Sequence, residues 1–267
     1  MGAVNLPGCG AHMLRYMNHV PLLLLLVIIS GCANRTQPMR VWNASVMADH
    51  AQDGAAIELS DNSRPAKGKK NSKVVVATIN TDDVRNLIRI QQRVESAVGE
   101  LHTELLIAEG NEPNGFSFSH GALQFIAVNI GMLNLLGQDE DATAALIGHE
   151  LAHLYLAHGK QRQDRENDRA ITTTVIAFAL GVVGIPFGAV DFATGTIAKS
   201  YTREEERDAD RFGLTFMSQA GFDPWGAVRL HEKLAAVPGG SGISFLSTHP
   251  STSERIENMK RLAQELH

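Results

Sequence analysis

The chain has little with which to lock itself covalently. Two cysteines, Cys9 and Cys32, cannot build a disulfide framework. It also lacks a basic excess: the formal charge of −5, the pI near 6.1 and the absence of basic–aromatic interleaving give no footprint for a nucleic-acid partner. There is no internal repeat. Long uninterrupted apolar runs are scarce as well. Leu22 to Ile29 is too short to stay in a bilayer as a permanent span. Ala170 to Val190 is uncharged and long enough, but Gly181, Gly184, Gly188, Pro186 and several threonines interrupt it. What remains is 44% hydrophobic and 20% charged, a globular composition sufficient for one medium domain plus extensions.

The apolar core Leu22–Ile29 runs into Ser30-Gly31-Cys32, which suits the h-region and cleavage zone of a secretory signal. A buried strand or short helix would explain the leucines, but not small residues placed directly before a cysteine. Ile29-Ser30-Gly31-Cys32 resembles the lipobox of bacterial lipoproteins. That resemblance implies a signal peptide over 1–31 and lipid on Cys32. More than one acyl chain there would anchor the protein stably. A start at Met13 would still leave Arg15 as the n-region charge, and Ala33 after the cysteine favours, by the same resemblance, the outer membrane and its periplasmic face. Residues 32–73 show no sustained periodicity and end in RPAKGKKNSK, so they read as the lipidated cysteine and a flexible tether. The sequons at Asn34 and Asn43 read as polar linker.

The domain is expected over 74–267. VVVATI at 74–79 is a β-branched run, and Thr81-Asp82-Asp83 offers caps for a helix to about Val98. Glu104–Ala108 and Leu123–Asn129 read as strands, with an Asn114-Gly115 turn and an alternating Phe116-Ser117-Phe118 between them. A short helix is expected over Gly131–Leu136, and another from an Asp139 or Asp141 cap to a stop at Gly159. Later helices cover about 202–220, 224–236 and 251–266. The class is α+β with helices in the majority.

His149-Glu150-Leu151-Ala152-His153 is H-E-x-x-H within the expected helix. At i and i+4 both imidazoles share a face and can reach one ion. Glu150 lies off that line, placed to handle a water without ligating. The pattern is short enough to arise by chance, so a third ligand decides. A metzincin would need glycine at 156 and histidine at 159, where the chain has Leu156 and Gly159. His158 falls about half a turn off the ligand face and reads as a cation at the helix C-terminus. In YTREEERDADRFG, helical phase places Glu204, Asp208, Arg211 and Thr215 on a polar stripe, and Glu206, Asp210, Gly213 and Met217 inward with Ala209. Glu206 is therefore the expected third zinc ligand, with Asp210 hydrogen-bonding a ligand histidine.

HELAH followed by Glu206-Arg207-Asp208-Ala209-Asp210 resembles the paired signature of HtpX-like and CAAX-prenyl-protease-like zinc metallopeptidases, peptidase family M48. Asn114-Gly115, Thr248-His249-Pro250 and Arg255-Ile256 fit the same pattern, and the likeness covers about 74 to 262. It implies a gluzincin (zincin-type) fold with a small sheet beside the HExxH helix, one Zn²⁺ per chain and endopeptidase activity. Membrane-embedded members carry several spanning helices, so the chain resembles the soluble, lipoprotein-type bacterial members. Those are associated with envelope protein quality control and outer-membrane assembly, which makes unfolded or misassembled envelope polypeptides the implied clients.

Three readings stay open at this level. His249 either caps or packs before Pro250, or it reaches the zinc to stabilise an oxyanion or plug the open position; the Thr-His-Pro match favours the second. Arg255 reads as an ion-pair partner of an active-site acid. Ala170–Val190 either packs in the domain or dips into a membrane and returns, because a single crossing would separate His153 from Glu206; the glycines and proline favour packing. A second function class is a lipid-anchored assembly factor or holdase with little proteolysis. Substrate is expected to lie extended along an edge strand near Gln124–Asn129. If the phase argument holds, Glu206→Gln weakens zinc retention during dialysis against chelator and Glu204→Gln does not; the reverse ranking would overturn it.

Overall fold

In the computed structural model the described residues are 39–61, 74–99, 101–120, 122–158, 190–192, 200–238 and 244–267. Residues 1–38, with the expected signal and Cys32, fall outside them, as do 62–73 and 170–189. The elements in order are β1 (Met39–Asn43), α1 (Ala44–His50), β2 (Ala56–Asp61), β3 (Val74–Asn80), α2 (Thr81–Val98), β4 (Glu104–Ala108), β5 (Gly115–His120), β6 (Leu123–Asn129), α3 (Ile130–Leu136) and α4 (Glu140–Tyr155). They continue with β7 (Val190–Phe192), α5 (Arg203–Gln219), α6 (Trp225–Ala235), α7 (Ser244–Thr248) and α8 (Ser253–Leu266). The fold is α+β, with a five-stranded sheet in the order β5-β6-β4-β1-β7 and a two-stranded β2–β3 ribbon. β4 and β6 pair in parallel, and the other pairs are antiparallel.

Side chains on the sheet split by the two-residue period of a strand. Leu105, Ile107, Ile126 and Val128 join the helices in the main core, while Leu106, Ala108, Phe125 and Ala127 turn to the other face with Val41, Phe116 and Phe118. Asn129 ends β6 and starts α3: its side-chain oxygen accepts from Met132 N, and from Asn114 N across the loop at 2.9 Å. Helix α4 is buried at every position from Ala142 to Leu154, since α5 and α6, α2 and strand β5 all pack around it. Asp139 caps it by accepting from Ala142 N, and Asn80, not one of the residues after it, caps α2.

Three expectations change. Residues 39–61, read as part of the tether, build β1, α1 and β2, and β1 lies inside the sheet between β4 and β7. Its pairing is entirely non-local and its run short, so no periodicity betrays it, yet Val41 and Trp42 are buried on opposite faces. Strand β6, which contains Gln124–Asn129, is bonded on both sides; among the described residues β5 is the edge on that side of the sheet and β7 the other. Helix α4 ends at Tyr155 rather than at Gly159, because Ala157 takes a φ of 54° and turns the chain. Among the described residues no helix is long and apolar enough to cross a membrane.

Helices α4 and α5 cross at two glycines. A Cβ on Gly148 would come within 2.7 Å of the Gly213 carbonyl oxygen, and one on Gly213 within 2.8 Å of His149 N. The backbones thus touch one residue away from the first histidine, which lets α5 present its inward carboxylates. Gly213→Ala should therefore destabilise the fold by ~1–3 kcal/mol in urea unfolding and lower zinc retention. Wild-type values in both would contradict this contact.

Candidate metal centre

His149, Glu150 and His153 reach the site from α4, and Glu206 and Asp210 from the first two turns of α5. The start of α5 is fixed by a full capping box, with Thr202 Oγ1 accepting from Glu205 N and Glu205 accepting from Thr202 N. His249 follows α7, whose backbone holds it through His249 N donating to Phe245 O. Arg255 comes from the first turn of α8. All seven side chains are buried.

His149, His153, Glu206 and His249 each offer a ligand atom, and these atoms lie within 4.8 Å of one another. His149 Nε2 is 3.1 Å from His153 Nε2 and 3.2 Å from His249 Nδ1, and Glu206 Oε1 is 3.3 Å from His153 Nε2 and 3.0 Å from His249 Nδ1. Around this group stand three supports. Asp210 Oδ1 lies 3.2 Å from His149 Nδ1, on the outer side of that ring. Arg255 grips Asp210 with two hydrogen bonds of 2.7 and 2.6 Å, and its Nη1 reaches Glu206 Oε2 at 2.5 Å and the Pro250 carbonyl at 2.7 Å. Tyr201 stacks on His153 with ring centroids 3.7 Å apart.

The electrostatics follow from burial and neighbours. Burial alone would raise both carboxyls. For Glu206 it is outweighed by His249 and by hydrogen bonding from His153, which hold the group well below its usual range. For Asp210 it is outweighed by the bonds from His149 and Arg255, which bring it to about 2. Burial lowers the pKa of His149, but its bond to Asp210 and the charge of Glu206 leave it raised. His153 stays well below its ordinary value, because burial and then the neighbouring histidines exceed what Glu206 returns. Two carboxylates are thus kept ionised, one neutral imidazole is available, and a single guanidinium offsets part of the negative charge. That is a donor set for a cation.

A direct test of fit is the polar atoms left over. Both Glu150 oxygens and His249 Nε2 are buried without a hydrogen bond; the nearest approach between them is 3.4 Å. Buried polar groups seldom stay unpaired without a function, and Glu150 Oε1 and Oε2 stand unpaired beside a His₂Glu donor set of the kind that holds zinc. Zinc fits these residues.

Glu204, the rejected candidate, is exposed on α5. Sequence reasoning missed two neighbours, Tyr201, stacked on His153, and His231; His158, expected as a cation at the helix C-terminus, is buried beside His153. His231 lies behind the site, lining a small cavity with His149 and Asp210, and its Nδ1 is 3.2 Å from Ser251 Oγ. No local spacing rule singles it out. Residues 170–189, the apolar segment, lie outside the described residues.

The model of the family described as Peptidase family M48 matches residues 82–263. The chain is 22% identical over 240 residues to the metalloprotease LoiP of Escherichia coli (strain K12), covering 87% of this chain and 91% of the relative. It is 30% identical over 173 residues to the mitochondrial metalloendopeptidase OMA1 of Schizosaccharomyces pombe (strain 972), covering 64% of this chain but 49% of that protein, so it spans about half of the longer relative. It is also similar to a protein of Vibrio cholerae named putative beta-barrel assembly-enhancing protease, at 28% over 163 residues, or 57% of this chain and 33% of that one.

Burial and the Arg255 charge push His231 down to about 4 from 6.5. Between those values the unfolded chain binds a proton that the native state refuses. This part of the stability is complete above about 6.5 and disappears as pH falls through about 4, on the order of 3 kcal/mol in all. In metal-free protein, urea unfolding from pH 7 to 4 should show wild type losing stability relative to His231→Gln as pH falls. A constant difference would contradict the assignment.

Proposed function

The chain belongs to peptidase family M48, a zinc metalloendopeptidase family, and from that premise we propose that His149, His153 and Glu206 hold its zinc while Glu150 acts as the general base of peptide-bond hydrolysis. The observation that carries this is the buried cluster of two α4 histidines and the α5 glutamate, with Glu150 beside it and free of hydrogen bonds. Zinc bound there would supply Lewis acidity, polarising the scissile carbonyl and activating a water. The residues do the rest. Asp210 orients His149 through Nδ1, leaving Nε2 to the metal. Arg255 holds Asp210 and Glu206 apart from one another's charge and in register. Glu150 takes the water's proton and returns it to the leaving amine. His249, whose Nε2 faces Glu150 Oε1, is placed to donate to a developing oxyanion.

The substrate we infer is an extended, unfolded segment adding to β5, the sheet edge against α4, in place of the β6 register expected from sequence. Backbone pairing accepts many sequences, which suits unfolded or misassembled envelope proteins. Lipid attachment at Cys32 and a place on the periplasmic face of the outer membrane rest on the Ile29–Cys32 motif. A role near outer-membrane assembly is supported by the printed name of the Vibrio cholerae relative.

A second reading has its own observation. His249 Nδ1 lies within 3.2 Å of His149 Nε2 and 3.0 Å of Glu206 Oε1, inside the ligand cluster. With zinc bound, His249 in that position would be the fourth ligand at rest and would gate proteolysis, which fits an assembly factor with low basal turnover. Restoration of an envelope defect by a Glu150 variant would favour that reading.

Glu150→Gln should retain one zinc per chain and lose hydrolysis of an unfolded protein by at least about 10²-fold. Retained turnover would remove Glu150 from the role of base.

A further inference from the structure

The turn after α4 is strained at one residue. Ala157 has φ 54°, in the left-handed region that a side chain with a Cβ disfavours. It reverses the chain, so His158 comes back to the ring of His153 instead of continuing along the helix axis. His158 is only 5% exposed, and its Nδ1 lies 3.0 Å from His153 Nδ1. On the other side of the same ring, His153 Nε2 faces His149 and Glu206.

We propose that His158 is a positioning residue for His153: its unprotonated Nδ1 accepts from His153 Nδ1–H, which leaves His153 Nε2 bare and aimed at the metal. This rests on reading His149, His153 and Glu206 as the zinc ligands. Two ring nitrogens 3.0 Å apart need one proton between them. Ligation through Nε2 keeps that proton on Nδ1 of His153. His158 is then the neutral tautomer with its own proton on Nε2, since a second N–H facing the first would repel it. Tyr201 fixes the plane of the His153 ring by stacking, and His158 fixes its rotation within that plane.

The two ligand histidines are therefore backed by different chemistry. His149 is backed by the carboxylate of Asp210, and His153 by a neutral imidazole. A carboxylate at the second position would place one more negative charge beside buried Glu150, Glu206 and Asp210, where Arg255 is the cation in contact. An imidazole fixes the tautomer without adding charge. The strained turn at Ala157 is what brings it there.

The test uses the mature chain and two substitutions of opposite character. His158→Asn keeps an acceptor near the Nδ1 position at reduced volume, while His158→Leu keeps the volume and removes the acceptor. Zinc affinity is measured by chelator competition, and the ligand field by the visible spectrum of the cobalt-substituted protein. His158→Leu should lose roughly 10–100-fold in zinc affinity and shift the cobalt bands, with His158→Asn within about threefold of wild type. A leucine variant that binds zinc as wild type does, or an asparagine variant that loses as much as leucine, would overturn the proposal and leave His158 a packing residue. The premise has its own control. If His153→Leu binds zinc as tightly as wild type, the ligand assignment fails, whatever the His158 pair shows.

Discussion

The guanidinium of Arg255 joins three parts of the chain at the site, on top of the core packing of Met259 and Ala263 and the Tyr201 N–Thr248 O hydrogen bond that already bring them together. Its two bonds to Asp210 and its contact with Glu206 tie α8 to α5, and its bond to the Pro250 carbonyl ties both to the turn that carries His249. Glu206 and Asp210 are both buried, one turn apart on the same helix face. Without a cation between them, burying two carboxylates would cost several kcal/mol each. Arg255 with His149 keeps Asp210 ionised, and His249 and His153 do the same for Glu206, which Arg255 also contacts.

What Arg255 does for charge, Gly148 and Gly213 do for distance. Any side chain at either position would separate α4 from α5, and the helices supply all but one of the clustered side chains. The central position of α4 follows from composition: Ala142 to Leu154 carries no charged residue except Glu150, and it is buried on every side. A carboxylate on such a helix has no water-facing alternative, and both Glu150 oxygens stay without a hydrogen bond. The metal site is therefore part of the core, and its geometry is as stiff as the helix packing.

How much of this was legible depended on the range of the interaction. Helical phase is local, so Glu206 could be separated from Glu204 by counting along one helix, and the bounds of α2, β4 and β6 could be read from runs and caps. Strand β1 could not, because MRVWN has two neighbouring apolar side chains that belong to opposite faces and its partners lie far along the chain. The order of β5 and β6 was hidden for the same reason: both strands were visible, but which of them is the edge is a fact of pairing. His158 was misplaced by a single backbone angle. An ideal helix carries it half a turn away from the ligands, whereas Ala157 leaves the helix and brings it back. His231 has no sequence signal at all, since it meets Ser251 and the rear of the site only through the packing of α6.

The central claim is that one zinc sits among nitrogen and carboxylate ligands drawn from α4 and α5, His149, His153 and Glu206. X-ray absorption at the zinc edge of the purified protein, with metal content measured on the same sample, tests it most directly. The account requires about one zinc per chain, with nitrogen and oxygen ligands near ~2.0–2.1 Å, two or three of them showing the outer-shell scattering of imidazole, and no sulfur. Substoichiometric zinc that washes out, or a first shell without imidazole, would contradict it.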